Sequence, residues 1–100
     1  MTRVENITLE TLDKRIIRND EIIASEMDDE VIMMSLAHDA YFALDPVGSR
    51  IWALLAQPMS AKEICDQLME EYDVTPNECQ TQTLAFLQTL AEKELIQAAI

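Results

Sequence analysis

The chain changes its residue pattern at Asp45-Pro46, and this change limits the folds open to it. Before this point, apolar runs are short and rich in residues that favour strands; after it, apolar residues recur at helical spacing. Asp45 is a favourable helix N-cap, and proline suits the first position of a helix. The 100 residues therefore predict one α+β domain, with its sheet in the first half and its helices in the second.

Three segments before Asp45 predict strands, at 21–27, 31–36 and 40–44. The short connections between them predict turns and hence an antiparallel meander. The run VIMMSL at 31–36 does not alternate, so we expect both of its faces to be covered. Residues 14–18, KRIIR, are compatible with a further short strand. We therefore expect residues 1–19 to form an N-terminal arm or short strand, followed by a domain at 20–97.

The helical half has clear start signals. The first helix begins after Asp45 and ends before Pro58, and Gly48, the single glycine, suggests close packing of this helix against the sheet. Two capping boxes, at 60–63 and 75–78, open a second helix and a third that runs to about Lys93. In the second, Ile64, Leu68 and Tyr72 recur on one face. A three-stranded antiparallel sheet followed by three helices is typical of a winged helix-turn-helix fold.

The third helix is unusual because residues 79–91, CQTQTLAFLQTLA, carry no charge in a chain with 19 acidic and 7 basic residues. Its apolar residues form two neighbouring stripes. The first stripe consists of Leu84, Leu87 and Ala91, and the second of Cys79, Thr83, Phe86 and Leu90, with Gln82 beside it. One stripe is enough for a core. The second is either a groove wall or the result of the domain packing around two sides of the helix.

The strand AYFAL at 40–44 lacks the lysine, proline or bulge that commonly protects an edge strand. Either it is not an edge, or its edge accepts another chain. An added strand would gain main-chain hydrogen bonds, and pockets on the neighbouring helix would select its side chains. Tyr41 and Phe42 should lie on opposite faces, one towards the core and one towards a ligand. The pattern leaves open whether a peptide or a second protomer pairs with this edge.

Charge and composition argue against several classes of function. A net charge of −12, with no basic residue from 75 to 91, argues against a nucleic-acid partner. No apolar run is long enough to span a membrane, and the N-terminus lacks a secretory signal, so we expect a cytoplasmic protein. Cys65 and Cys79 are expected as buried free thiols, with a disulfide as the alternative. With the single His38 they offer no metal site, cofactor site or nucleophile–base pair, so we expect no enzyme.

The runs VIMMSLAHDAYFALDPVGSRIWALL, SAKEICDQLMEEYDV and LAFLQTLAEKELI together resemble the PqqD-like family, the RiPP recognition elements of ribosomal-peptide biosynthesis. The sequence at 45–48 and 72–74 is most similar to that of stand-alone members from lasso-peptide clusters. The resemblance implies a non-catalytic adaptor that binds the leader region of a precursor peptide. It would present that leader to modifying enzymes such as a leader peptidase or cyclase.

The resemblance also implies a site. The leader would add as an antiparallel strand to the third strand, at Tyr41, Phe42, Ala43 and Leu44. The wall on the third helix would be Cys79, Gln82, Thr83 and Phe86. Two departures matter: His38-Asp39 stands where the family often has a turn glycine, and Gln82 stands where members often have an acid. The alternatives are a winged-helix regulatory, DNA-binding domain and a self-associating structural domain, which would be a homodimer through the same edge.

Overall fold

The computed structural model describes residues 13–19, 22–27, 30–35 and 40–99. The strands are β1 (Arg15–Arg18), β2 (Ile23–Met27), β3 (Glu30–Ser35), β4 (Ala40–Leu44), β5 (Met59–Ser60) and β6 (Ile96–Ala98). The helices are α1 (Pro46–Leu54), α2 (Ala61–Glu71) and α3 (Pro76–Glu92). Residues 1–12 of the expected N-terminal segment and the connection at 36–39 lie outside the described residues. The α+β class, the antiparallel meander and the three helices are confirmed.

The meander has the order β2-β3-β4, with Met33 of β3 lying between Ala24 of β2 and Phe42 of β4. Its inner face packs on the helices, and Val31 and Met33 are buried there. On the other face Ile32 and Met34 are half-buried, so the expectation that both faces of 31–36 are covered or nearly so is met only in part among the described residues.

A second small sheet, in the order β5-β1-β6, was not expected. The predicted short strand at 14–18 is confirmed as β1, which pairs antiparallel with both neighbours. Glu94 has a positive φ of 58°, and this left-handed turn after α3 leads Leu95 and Ile96 back towards β1. Ile16 of β1 joins them in the main core. The strands β5 and β6 have two and three residues, which is too short for a recognisable pattern.

All three predicted helix starts are confirmed by their caps. The Asp45 carboxylate accepts a hydrogen bond from the Gly48 amide at 2.7 Å. Ser60 and Glu63 form the reciprocal capping box, with bonds of 3.1 and 3.0 Å. The Thr75 hydroxyl caps α3 by accepting from the third amide of that helix at 3.2 Å. These side chains set where each helix begins, and so fix the lengths of the turns around the site.

Ser49 joins α1 to two strands of the meander. Its buried hydroxyl accepts a hydrogen bond from the Val31 amide at 2.9 Å and donates one to the Leu44 carbonyl at 3.2 Å. Val31 and Leu44 are opposite each other in the β3–β4 pair. One hydroxyl therefore fixes the first turn of α1 against the ends of both strands.

We expect Ser49→Ala to lower the free energy of unfolding by about 1–3 kcal/mol, because it leaves a buried amide and a buried carbonyl without this partner. Chemical denaturation would measure the change. Ser25→Ala, at an exposed position of β2, is the control and should change stability by less than about 0.5 kcal/mol. Equal stability of the two variants would show that the Ser49 bonds are not needed.

Candidate functional site

β4 is an edge of the meander, because β3 is its only partner in the sheet of described strands. Leu44 is buried and Phe42 is half-buried, both towards the helices. Tyr41 is 74% exposed on the opposite face. The predicted placement of the two rings on opposite faces is confirmed. The free side of β4 presents backbone N–H and C=O groups at every second residue.

An apolar cavity of about 280 Å³ opens where β4 ends and α1 begins. It lies between the first turn of α1, the end of α2 and the first half of α3. Its lining residues are Asp45, Val47, Gly48, Ile51, Leu68, Tyr72, Val74, Cys79, Gln82, Thr83 and Phe86. All four residues predicted for the helix wall are among them. The predicted strand residues at 41–44 do not line it, and they lie beside it along the chain.

The four predicted wall residues are not equivalent. Cys79 and Thr83 are buried, and the Cys79 Sγ lies 3.9 Å from the Thr83 hydroxyl. Phe86 is half-buried and Gln82 is exposed. The second stripe of α3 is therefore partly core, since Leu90 is also buried. This finding favours the alternative that the domain packs around two sides of α3. Among the α3 residues that line the cavity, Gln82 and Phe86 are the most accessible.

Part of the cavity wall that helical spacing does not indicate comes from the start of α1 and from the connection between α2 and α3. Val47, Tyr72 and Val74 line it and are 43%, 38% and 37% exposed. Helical spacing predicts Tyr72 on the buried face of the second helix. The helix ends one residue earlier, and Tyr72 is extended, with φ −126° and ψ 150°, so helical spacing no longer sets its direction. Two exposed valines near helix starts, Val47 after Pro46 and Val74 before Thr75-Pro76, were the available signal.

Gly48 has a different neighbour from the one expected. A Cβ on Gly48 would lie 3.1 Å from Phe86 Cζ and 3.1 Å from the Asp45 carboxylate. The close packing that glycine permits is therefore between α1 and α3, not between α1 and the sheet. The absence of a side chain lets the Phe86 ring lie directly on the first turn of α1, and this contact shapes one wall of the cavity.

We expect Gly48→Ala to displace the Phe86 ring by a few tenths of an ångström while changing the unfolding free energy by less than about 1 kcal/mol. The helix gains up to about 1 kcal/mol from alanine, and this gain offsets the crowding. Aromatic NMR resonances of Phe86 would report the displacement. Ala53→Ser, on the exposed side of α1, is the control. Unchanged Phe86 resonances in Gly48→Ala would contradict the expected contact.

Two contacts define how β4 and α3 run past each other. The Lys93 ammonium, at the end of α3, lies 5.1 Å from the centre of the Phe42 ring, a favourable cation–π distance. Further along the chain, Gly48 lies against Phe86, earlier in α3. The segment from Phe42 to Gly48 therefore runs opposite to α3. A strand added antiparallel to β4 would run in the same direction as α3 and would begin beside the cavity.

Arg50 and Glu71 join α1 to α2 near the cavity. Nε and Nη2 of Arg50 donate to the two carboxylate oxygens of Glu71 at 2.8 and 2.7 Å, a bidentate arrangement. Gln67 donates a third bond to the same carboxylate at 2.7 Å. The hydrogen bonds from Arg50 and then Gln67 lower the pKa of Glu71 from 4.5 to about 2. The pair holds together the helices that carry Val47 and Leu68.

The lowered pKa of Glu71 predicts a pH-dependent contribution to stability. The pair should stabilise the fold above the ordinary carboxyl pKa of 4.5, and this contribution should disappear as the pH falls towards 2. Its size should stay below about 1 kcal/mol, because the pair is solvent-accessible. Denaturation of wild type and Glu71→Gln from pH 7 to pH 2 would show a difference that closes in that range. A constant difference would contradict this role; Glu70→Gln is the charge-matched control.

The thiols near the cavity are buried and unpaired. Cys65 and Cys79 are free cysteines, and burial raises the pKa of the Cys65 thiol to about 11. A thiol with this pKa is protonated at neutral pH and is a poor nucleophile.

Within the described ranges, no three His, Cys, Asp or Glu side chains form a metal-binding group. His38 lies outside these ranges. No described helix is both long and apolar enough to cross a bilayer.

A family model described as coenzyme PQQ synthesis protein D, PqqD, matches residues 30–96. The chain belongs to the PqqD family. Among solved structures, TbiB1 in complex with the TbiA(beta) leader peptide is similar, with a TM-score of 0.77 and 37% sequence identity. That similarity covers 84% of this chain and 98% of TbiB1.

A lasso peptide synthetase B1 complexed with its leader peptide has a TM-score of 0.71. It covers 81% of this chain and 95% of the synthetase chain at 18% identity, so it supports the fold alone. No curated protein sequence matches the chain significantly.

Proposed function

We propose that this PqqD-family chain is a non-catalytic adaptor that binds the leader region of a precursor peptide. The leader adds as an antiparallel strand to Tyr41, Phe42, Ala43 and Leu44 and is then presented to modifying enzymes of lasso-peptide biosynthesis, such as a leader peptidase. The observation that carries the proposal is the free edge of β4 beside an apolar cavity. TbiB1, the 37% identical neighbour, is itself complexed with a leader peptide.

Strand addition and the cavity have different tasks in this proposal. Main-chain hydrogen bonds to β4 contribute about 0.5–1.5 kcal/mol each and do not depend on the peptide sequence. The cavity of about 280 Å³ is near the lower end of ligand pockets, which span about 300–1,000 Å³. It is suited to one or two side chains of a longer ligand. A leader that runs in the same direction as α3 places apolar side chains of its earlier residues in the cavity. Its later residues then pair with β4.

The proposal is tested by titrating the domain with a synthetic leader peptide encoded beside it. We expect Val47→Asp to weaken binding at least tenfold, because the apolar leader side chain would desolvate the new carboxylate. Asp at the second position of α1 is favourable for the helix, so the variant should remain folded. Thr81→Asp, exposed on α3 and outside the cavity, is the control and should bind as wild type does. Equal affinity of both variants would argue against the cavity.

The same titration with singly N-methylated leaders tests strand addition. Successive amides of an added strand point alternately towards β4 and away from it. We therefore expect affinity losses of about 2- to 10-fold at every second position and little change between them. Amide NMR shifts should include residues 40–44. A leader that binds without this alternation would contradict pairing with β4, and pairing of two copies through β4 without any peptide response would favour a homodimer.

A further inference from the structure

A single positive charge stands at one end of the groove, the name used here for the space between the free edge of β4 and α3. Lys93 is the only Lys or Arg after Lys62 in the chain. It is exposed, and its ammonium lies 5.1 Å from the centre of the Phe42 ring. Among the described residues no carboxylate pairs with it, although Glu92 and Glu94 flank it in the sequence. Lys93 is therefore a cation without an acidic partner beside the edge strand.

Lys93 ends a stripe of residues that begins in the cavity. The members of this stripe are three or four residues apart, so they share one face of the helix. They are Gln82, Phe86, Thr89 and Lys93. The first two line the cavity, and the last contacts Phe42 of β4. The stripe therefore follows the groove from the cavity to Phe42, and it is uncharged until Lys93.

The length of the stripe sets a spacing on any peptide in the groove. Lys93 is seven residues beyond Phe86 and eleven beyond Gln82, which is about 10–17 Å at the helical rise of 1.5 Å per residue. An extended chain covers this distance in about three to five residues. Side chains on the same face of a strand are an even number of residues apart. A peptide side chain that faces Lys93 therefore comes about four residues after the one in the cavity.

The peptide position opposite Phe42 is the one that Lys93 can reach. Phe42 packs towards the helices, so the residue directly opposite it on an added strand faces the same way, with its Cβ about 4.5–5.5 Å from that of Phe42. The lysine side chain is long and flexible, and its ammonium can bind a carboxylate while its methylene groups stay on the ring. A basic residue at this position would be repelled. Asp or Glu is complementary.

We propose that Lys93 selects leaders with an acidic residue about four positions after the apolar residue that occupies the cavity. This inference rests on the proposed function, which supplies the leader and its direction. No other basic residue belongs to β4, to α3 or to the lining of the cavity. At the opposite end of the groove, Asp45 lines the cavity. An acid placed there would meet a carboxylate instead of Lys93, so the two charges favour one direction of the leader.

The test measures the affinity of the domain for the synthetic leader encoded beside it, with Asp or Lys placed in turn at each position after the cavity residue. At low salt, wild type should bind the Asp peptide about 3- to 10-fold more tightly than the Lys peptide at one position, about four after the cavity residue. This preference should shrink as salt increases. Lys93→Glu should reverse it at that position alone. Lys62→Glu, exposed on α2, makes the same change of charge and should keep the wild-type preference.

Glutamate is unfavourable beside the carbonyl groups at the end of a helix, so Lys93→Gln is a second variant, in which the preference should disappear without reversing. Thermal unfolding checks that both variants are folded. An equal loss of affinity for all peptides in Lys93→Glu would show that Lys93 only supports the fold, and would overturn the proposal. An Asp preference that both variants retain would overturn it as well. In these two cases leader binding by wild type stands, whereas a wild-type domain that binds no leader would overturn the proposed function and this inference with it.

Discussion

The candidate site depends on the buried hydroxyl of Ser49. It satisfies one backbone group from each of β3 and β4, so it holds α1 at the point where the edge strand ends. Because Val47 and Gly48 precede it in the same helical turn, the position of one cavity wall follows from this contact. A helix anchored only by apolar packing could slide along the sheet, whereas paired hydrogen bonds fix its register.

The sequence predicted those parts of the fold that depend on local chemistry. Caps at Asp45, Ser60 and Thr75 are short-range signals, and all three helices begin where they indicate. The sheet β5-β1-β6 depends on contacts between distant segments, and its short strands leave no periodic pattern. Ser49 could not be identified either, since a serine in the first turn of a helix is ordinary and its two partners are determined only by the tertiary fold.

The cavity residues also divide into those that local sequence indicates and those that depend on the tertiary fold. Cys79, Gln82, Thr83 and Phe86, the wall that the resemblance implies, line one cavity, and they share one helix whose spacing brings them together. The rest of the lining comes from α1, from Leu68 of α2 and from Asp45, Tyr72 and Val74 beside the helices, and how these elements meet depends on the tertiary fold. The uncharged face of α3 is explained in part: Gln82 lines the cavity, while the exposed Thr81, Ala85 and Thr89 lie outside its lining. The lack of charge on the remaining face is therefore not a consequence of the cavity.

The arrangement separates binding strength from selectivity. Backbone groups of β4 can pair with almost any extended chain, so an edge alone would be a liability in a protein with no edge lysine or proline on that strand. A carboxylate-rich surface disfavours pairing between copies of this chain, and the cavity requires an apolar side chain at one position relative to the strand. Under the proposed function, a chain that pairs with β4 must not be repelled by the carboxylate-rich surface. It must also place an apolar side chain in the cavity before the main-chain hydrogen bonds of β4 contribute. Under this function the shape of the cavity, one wall of which is set by the contact of Gly48 with Phe86, would help to determine which leader is accepted.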